Sequence, residues 1–247
     1  MSRFNLLLCL LVALSILMMV SANPRILAAV ITCVPNVQCV GTDDNDRMTG
    51  TSQNDNMTAL SGKDKMNGNA GDDNLNGGPG VDNINGGDGL DWIDGETGNF
   101  MDNETGNALS GGGDFDRIRG GNGDDTINGD AGQDNLWGYG GNDRIRGGLD
   151  EDVVQGLQGN DILEGGDADD VLVGDWDTGP ISLFGADTLK GGPGDDKLFQ
   201  SAIGGQNVLT SDGHKDTLDC GDGNDEAWGN VSIDHDEFRN CEVVHKE

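Results

Sequence analysis

The sequence has few of the residues that build an ordinary globular core. Of its 247 residues, 4% are aromatic and 34% are hydrophobic, which is too few for a large core of the usual kind. Basic residues are also scarce, because 14 Lys and Arg stand against 45 Asp and Glu and the formal charge is −31. Such a surface repels nucleic acid and anionic lipid and attracts cations. We therefore predict no nucleic-acid partner.

Low hydrophobicity with high net charge is also typical of intrinsic disorder. The two interpretations are compatible if the chain is disordered without a cation and ordered with one. The motifs of common hydrolases are absent: the sequence has no His-Glu-x-x-His and no Gly-x-Ser-x-Gly. Paired aspartates would suit a glycosidase, but here aspartates recur in every repeat, which indicates a structural role. We predict that the protein is not an enzyme.

What the sequence has in abundance is glycine and aspartate in a nine-residue period. Between Gly120 and Val173, six consecutive units open with glycine, carry aspartate in the sixth place and carry an aliphatic residue in the eighth. A fixed period with fixed chemistry indicates a stacked repeat. The glycines permit positive φ and close approach of carbonyls, and the three-residue tail is a minimal strand with one side chain inward. We therefore predict that each unit forms a turn and a short strand, and that two units form one coil of a parallel helix.

The unit resembles the RTX (hemolysin-type) calcium-binding repeat, G-G-x-G-x-D-x-U-x, in which U is a large aliphatic residue. The match is close in GGPGVDNIN (77–85), GGDGLDWID (86–94), GGNGDDTIN (120–128) and GGPGDDKLF (191–199). The resemblance implies an all-β fold, the right-handed parallel β-roll (a β-solenoid), with calcium ions held between turns. It also implies that the sixth-place aspartate and the turn carbonyls of one unit share an ion with the next unit but one, a full coil further along the chain.

The chemistry of the repeat favours calcium independently. Ca²⁺ takes six to eight oxygen ligands at about 2.3–2.6 Å, whereas Mg²⁺ keeps its waters and demands octahedral geometry. Softer metals need His or Cys, and His214, His235 and His245 are out of phase with the repeat. We predict multiple Ca²⁺ ions with the sixth-place aspartates as ligands: Asp46, Asp55, Asp64, Asp73, Asp82, Asp91, Asp116, Asp125, Asp134, Asp143, Asp152, Asp161, Asp170, Asp187 and Asp196.

The eighth place supplies the predicted core. Its members are Met48, Met57, Met66, Leu75, Ile84, Ile93, Ile118, Ile127, Leu136, Ile145, Val154, Leu163 and Leu172. Asp216 and Asp225 continue the aspartate series beyond the fifteen predicted ligands. Asp150 and Ala168 replace the fourth glycine of their units, and the opening units lack the second glycine, which weakens the predicted ion positions there.

The roll is predicted to span residues 41–228, with irregular segments near 95–110, 174–186 and 199–210. The first falls short of two full units, with Phe100 in one expected aspartate place, and the second is also slightly shorter than two units. Insertions in solenoids map to loops, so we predict local bulges or outward loops, with a separate binding function as the alternative. Residues 29–40 and 229–247 are predicted to be the N-terminal and C-terminal caps.

Residues 1–28 have the pattern of a secretory signal peptide. Arg3 precedes an apolar run from Leu6 to Val20, and cleavage is plausible after Ala22 or Ala28. The alternative is an uncleaved membrane anchor. However, the run of about 15 residues is shorter than the roughly 20 that span a bilayer. We therefore predict export to the extracellular space, without membrane insertion after cleavage.

Cysteine usage agrees with export. Cys9 lies in the signal segment, which leaves four cysteines, an even number that suggests disulfides in an exported chain. Three pairings are possible. We favour Cys33–Cys39 and Cys220–Cys241, because each pair flanks one end of the array and stacked repeats need protected ends.

The leading hypothesis is a secreted, non-enzymatic calcium-binding β-roll that folds on binding Ca²⁺ outside the cell. One alternative is a cell-surface or matrix adhesion protein, in which the roll is a rigid spacer and the irregular segments bind a partner. Another is a β-helix enzyme that acts on acidic polysaccharide. It would need a groove lined by basic residues, whereas the candidates are few and lie at outward places: Arg117, Arg119, Arg144 and Arg146.

Overall fold

The computed structural model of the protein describes residues 29–96, 106–177, 185–203, 214–229 and 234–246. Throughout these ranges the regular secondary structure is β-strand, in 22 strands. They contain no helix that is long and apolar enough to cross a membrane. The predicted signal peptide, residues 1–28, lies outside the described residues.

The strands form two parallel sheets of 11 strands each. Sheet I contains the odd-numbered strands: β1 (Val30–Thr32), β3 (Arg47–Thr49), β5 (Lys65–Ala70), β7 (Asn83–Asp88), β9 (Ala108–Gly113), β11 (Thr126–Ala131), β13 (Arg144–Leu149), β15 (Ile162–Asp167), β17 (Thr188–Pro193), β19 (Thr217–Asp222) and β21 (Glu237–Arg239). Sheet II contains the even-numbered strands: β2 (Cys39–Val40), β4 (Asn56–Thr58), β6 (Asn74–Asn76), β8 (Trp92–Asp94), β10 (Arg117–Asn122), β12 (Asn135–Gly140), β14 (Val153–Gln158), β16 (Val171–Asp177), β18 (Lys197–Ile203), β20 (Glu226–Gly229) and β22 (Val243–Lys246).

Successive strands alternate between the sheets, so each coil of the chain contributes one strand to each. Where the repeat is regular, neighbouring strands of a sheet pair in register between equivalent places two units apart, as in Ile127 with Ile145. The predicted all-β parallel solenoid is confirmed. Because equivalent places stack coil on coil, the thirteen predicted core side chains, Met48 to Leu172, are each at most 3% exposed.

Each irregular segment holds one unit with an insertion. Regular units place sixth-place residues nine apart, but the spacing is 16 from Asp91 to Asn107, 17 from Asp170 to Asp187 and 20 from Asp196 to Asp216. Across the first two breaks the alternation of the sheets continues, because the next described strand after β8 and after β16 of sheet II belongs to sheet I. Most inserted residues (97–105, 178–184 and 204–213) lie outside the described residues, so the predicted loops stay a prediction.

All three breaks in the nine-residue spacing fall in connections from sheet II to sheet I. From β3–β4 to β19–β20, every connection from sheet I to sheet II keeps the nine-residue spacing. We call the side formed by these connections the regular edge. The connections from sheet II back to sheet I, which carry the insertions, form the variable edge.

Both ends of the roll are closed by disulfides with the predicted pairing. Cys33–Cys39 links the first two strands, and Cys220–Cys241 links β19 to the residues before β22. The terminal strands β1, β2, β21 and β22 hydrogen-bond within the same two sheets. The segments predicted as caps are therefore terminal coils of the roll, which runs from Val30 to Lys246.

Candidate calcium sites

The sixth-place aspartates form two rows, one along each edge of the roll. Those that precede strands of sheet II lie along the regular edge: Asp55, Asp73, Asp91, Asp116, Asp134, Asp152, Asp170 and Asp196. Those that precede strands of sheet I lie along the variable edge: Asp46, Asp64, Asp82, Asp125, Asp143, Asp161 and Asp187. All fifteen are buried, with at most 5% of each residue exposed.

Within a row, each residue is hydrogen-bonded to the same place in the next coil. The backbone N–H of Asp125 donates to Oδ1 of Asp143 at 2.8 Å, and the N–H of Asp143 donates to Oδ1 of Asp161 at 2.8 Å. The ladder continues across the insertions, where the N–H of Asp161 donates to Oδ1 of Asp187. Aspartates one coil apart are therefore neighbours, as the repeat predicts.

The second carboxylate oxygen remains available in most of these residues. Within the described part of the chain, Oδ2 is buried and has no hydrogen-bond partner in Asp64, Asp73, Asp91, Asp116, Asp125, Asp134, Asp143, Asp152, Asp161, Asp170, Asp187 and Asp196. A buried polar group left unsatisfied costs about 1–3 kcal/mol, and more when it is charged. Such a series of buried acceptors requires a cation or protons.

In many coils the available oxygen lies near a carbonyl oxygen of the next coil, beside a first-place glycine whose missing side chain leaves the space between them open. A Cβ atom placed on Gly120 would lie 2.2 Å from Asp125 Oδ2 and 2.7 Å from the Gly138 carbonyl oxygen. One coil on, a Cβ on Gly138 would lie 2.2 Å from Asp143 Oδ2 and 2.7 Å from the Gly156 oxygen. The first-place glycine thus keeps open the space where carboxylate and carbonyl oxygens converge.

The fourth place gives the turn its left-handed backbone. Gly141 has φ +127°, and a Cβ there would lie 2.1 Å from the Gly123 carbonyl oxygen in the preceding coil. Asp150 and Ala168, which replace the fourth glycine, also have positive φ, at 70° and 89°. Stacking between coils therefore holds the turn conformation even where the residue disfavours it.

The first two predicted ligands differ from the rest. The backbone N–H of Thr42 donates to Oδ2 of Asp46 at 2.6 Å, and that of Thr51 donates to Oδ2 of Asp55 at 2.5 Å. Threonine stands here in the second place, which is glycine in the consensus unit. Both oxygens of the Asp46 carboxylate have donors from the protein itself, whereas at Asp55 only Oδ2 has one and Oδ1 is buried without a partner.

Three further members of the rows were missed from the sequence. Asn107 takes the sixth place between Asp82 and Asp125, where it accepts the N–H of Asp82 at 2.8 Å. Asp236 accepts the N–H of Asp216, and Glu242 accepts that of Asp225. The signal for Asn107 was the run Asn-Ala-Leu-Ser-Gly-Gly (107–112), which keeps the sixth place, the eighth place and the next two glycines in phase.

Burial changes the acidity of the rows. Removal from water, opposed by the backbone hydrogen bond and increased by neighbouring carboxylates, raises the pKa of many of these carboxyl groups above the ordinary value of 3.8. The pKa is raised to about 8 at Asp116, Asp125, Asp143 and Asp170, and to about 7 at Asp91, Asp134, Asp152 and Asp161. Without a cation, the roll therefore favours protonated aspartates.

The donor set fits calcium. In the described ranges, no three carboxylate, imidazole or thiol groups converge on one point, whereas carboxylate and backbone carbonyl oxygens lie close together beside the first-place glycines. A hard cation that accepts mixed carboxylate and carbonyl oxygens in flexible geometry is Ca²⁺. Asp125 and Asp143 lie in adjacent coils, are joined by a hydrogen bond, and each keeps a buried Oδ2 without a partner. Equivalent aspartates of adjacent coils are therefore placed as ligands of calcium ions between turns would be.

Fold and site together define a calcium-binding β-solenoid built from nine-residue units. The sequence model of the RTX calcium-binding nonapeptide repeat matches residues 40–75, 67–99, 103–136, 110–145, 122–154, 146–178 and 183–199, more than half of the chain. The chain belongs to this family, and its repeats bind calcium ions. No curated protein sequence matches the chain significantly.

Proposed function

We propose that the protein is a secreted calcium-binding β-roll, and that it folds when several Ca²⁺ ions bind outside the cell. The observation that carries this proposal is the row of buried carboxylate oxygens without hydrogen-bond donors along each edge. The ions supply the positive charge that these oxygens lack. The aspartates hold the ions through Oδ2, while their Oδ1 atoms join one coil to the next.

Coupling of folding to calcium gives export a physical basis. Adjacent coils lie side by side only in the folded roll, so the free energy of binding is also free energy of folding. Low calcium inside a cell would leave the chain unfolded and transportable, and higher calcium outside would fold it. The two disulfides support the same compartment, because such bonds persist in oxidising surroundings.

A structural role is favoured over catalysis on acidic polysaccharide. The basic residues considered for such an enzyme do not line one groove. Arg117 and Arg119 lie on sheet II, where both stack on the Trp92 ring. Arg144 and Arg146 lie on sheet I, where both pair with Glu164. The cations are thus divided between opposite faces and engaged with neighbouring side chains.

Filling one ion position with a methyl group tests the sites. Gly138→Ala is expected to lower the number of calcium ions bound by one, because its Cβ would occupy the space between Asp143 Oδ2 and the Gly156 carbonyl. Gly140→Ala is the matched control: its Cβ would lie 3.2 Å from the nearest atom, Asn122 Oδ1, and the stoichiometry should not change. Isothermal titration measures both, and full stoichiometry in Gly138→Ala would contradict the proposed ligands.

Export is tested on the full chain expressed with residues 1–28 in place. We expect mature protein in the medium, with a mass that corresponds to cleavage after Ala22 or Ala28. A variant with Leu10→Arg and Leu11→Arg in the apolar run is expected to stay inside the cell. Secretion of that variant at the level of the parent, or an intact N-terminus on the secreted protein, would count against the signal peptide.

A further inference from the structure

One position of the variable edge carries an amide in place of a carboxylate. Asn107 is 3% exposed and lies in the row between Asp82 and Asp125. Along the regular edge, the row passes the same insertion without a change of chemistry, because Asp91 donates its N–H to Oδ1 of Asp116 at 2.8 Å. The two rows are therefore not equivalent.

The hydrogen bonds fix which way the Asn107 amide faces. Oδ1 accepts the backbone N–H of Asp82 at 2.8 Å, the same bond that the carboxylates of the row make with their Oδ1. The remaining atom must then be Nδ2, because a donor cannot accept the N–H of Asp82. Nδ2 takes the place that Oδ2 takes in the aspartates, and it donates to the Gly120 carbonyl oxygen at 3.3 Å.

Comparison with the next coil shows what the amide replaces. A Cβ on Gly95 would lie 2.3 Å from the Gly120 carbonyl oxygen and 2.8 Å from Asn107 Nδ2. The equivalent Cβ on Gly120 would lie 2.7 Å from the Gly138 oxygen and 2.2 Å from Asp125 Oδ2. At Asp125 two acceptors face one space, and a cation is needed between them. At Asn107 one donor faces one acceptor, and the pair is satisfied without an ion.

We propose that Asn107 closes one calcium position of the variable edge by using its amide N–H where the other coils use an ion. This inference rests on the proposed function, because it assumes that the aspartates of the rows bind calcium. Asn107 divides the row of the variable edge into two runs, Asp46 to Asp82 and Asp125 onward, while the regular edge stays continuous. The coil beside the first insertion is thus joined to its neighbour independently of calcium.

The test converts the amide into the carboxylate of the consensus unit. In the full chain titrated with calcium chloride, Asn107→Asp is expected to bind one ion more than the parent. Equal stoichiometry in parent and variant would overturn the inference.

The reverse change in the same row is the matched control. Asp143→Asn is expected to bind one ion fewer than the parent, because its amide can donate to the Gly156 carbonyl as Asn107 donates to Gly120. It keeps the inference testable if Asn107→Asp does not fold, since an unchanged stoichiometry in Asp143→Asn would also overturn it. A parent chain that binds no calcium would instead refute the proposed function.

Discussion

Removal of calcium at neutral pH is expected to abolish most of the strand signal of this protein in circular dichroism. The reason is the series of buried carboxylates whose second oxygen has no donor. A few such groups, at about 1–3 kcal/mol each, are comparable with the about 5–15 kcal/mol that stabilises a typical domain. Addition of calcium to the same sample is expected to restore the signal, because the ion binds the folded coils and not the separated ones.

The measurement needs two controls. Magnesium at the same concentration and ionic strength separates specific ligation from general screening of the −31 charge, and we expect it to restore little of the signal. Reduction of the two disulfides separates the effect of calcium from that of covalent closure. An undiminished strand spectrum in EGTA at neutral pH would contradict the dependence of the fold on calcium.

Acidification without any metal is expected to recover much of the same strand signal. The carboxyl pKa is 3.8 when unperturbed and is raised in the folded roll to about 7 or 8 at residues such as Asp134 and Asp143. A group with a raised pKa stabilises the fold fully below its unfolded value and loses that contribution as pH rises through its folded value. In EGTA, the fold should therefore be stable near about pH 4 and lost between about pH 6 and 8.

Two variants distinguish protonation of the buried aspartates from a general effect of net charge. Asp143→Asn removes one buried titrating group and is expected to shift the loss of structure in EGTA to higher pH. Asp167→Asn removes an exposed carboxylate with the same change of charge and is expected to shift it little. A titration in saturating calcium should be flat over the neutral range, because ligation replaces protonation. A strand signal in EGTA that falls on acidification would contradict the sign of this prediction.

The fold was accessible from the sequence because its information is local and repeated. The nine-residue spacing of the aspartates and of the eighth-place core residues predicts the two sheets, because each coil contacts only the coils next to it. The predicted core residues Ile127 and Ile145 indeed pair between adjacent coils. The disulfide pairing was also predictable, because Cys33 and Cys39 flank one end of the repeats in the sequence and Cys220 and Cys241 flank the other end.

The insertions were less accessible, because counting in nines assumes that the period continues. That assumption gave Phe100 a place in the row and hid Asn107, although Leu109 and the following glycines were back in phase. The protection of Asp46 by Thr42 was hidden for another reason. Whether a backbone N–H reaches the carboxylate depends on the orientation of the turn, which the residue types leave open.

The constant spacing of the regular edge has a consequence for how this molecule can vary. Because the connections of the regular edge have constant length, extra residues are accommodated in the connections of the variable edge. Every residue added at the variable edge leaves the rise from coil to coil unchanged, because the nine-residue connections opposite still set it. The regular edge therefore fixes the spacing between coils, and the variable edge can accommodate additional segments without changing that spacing.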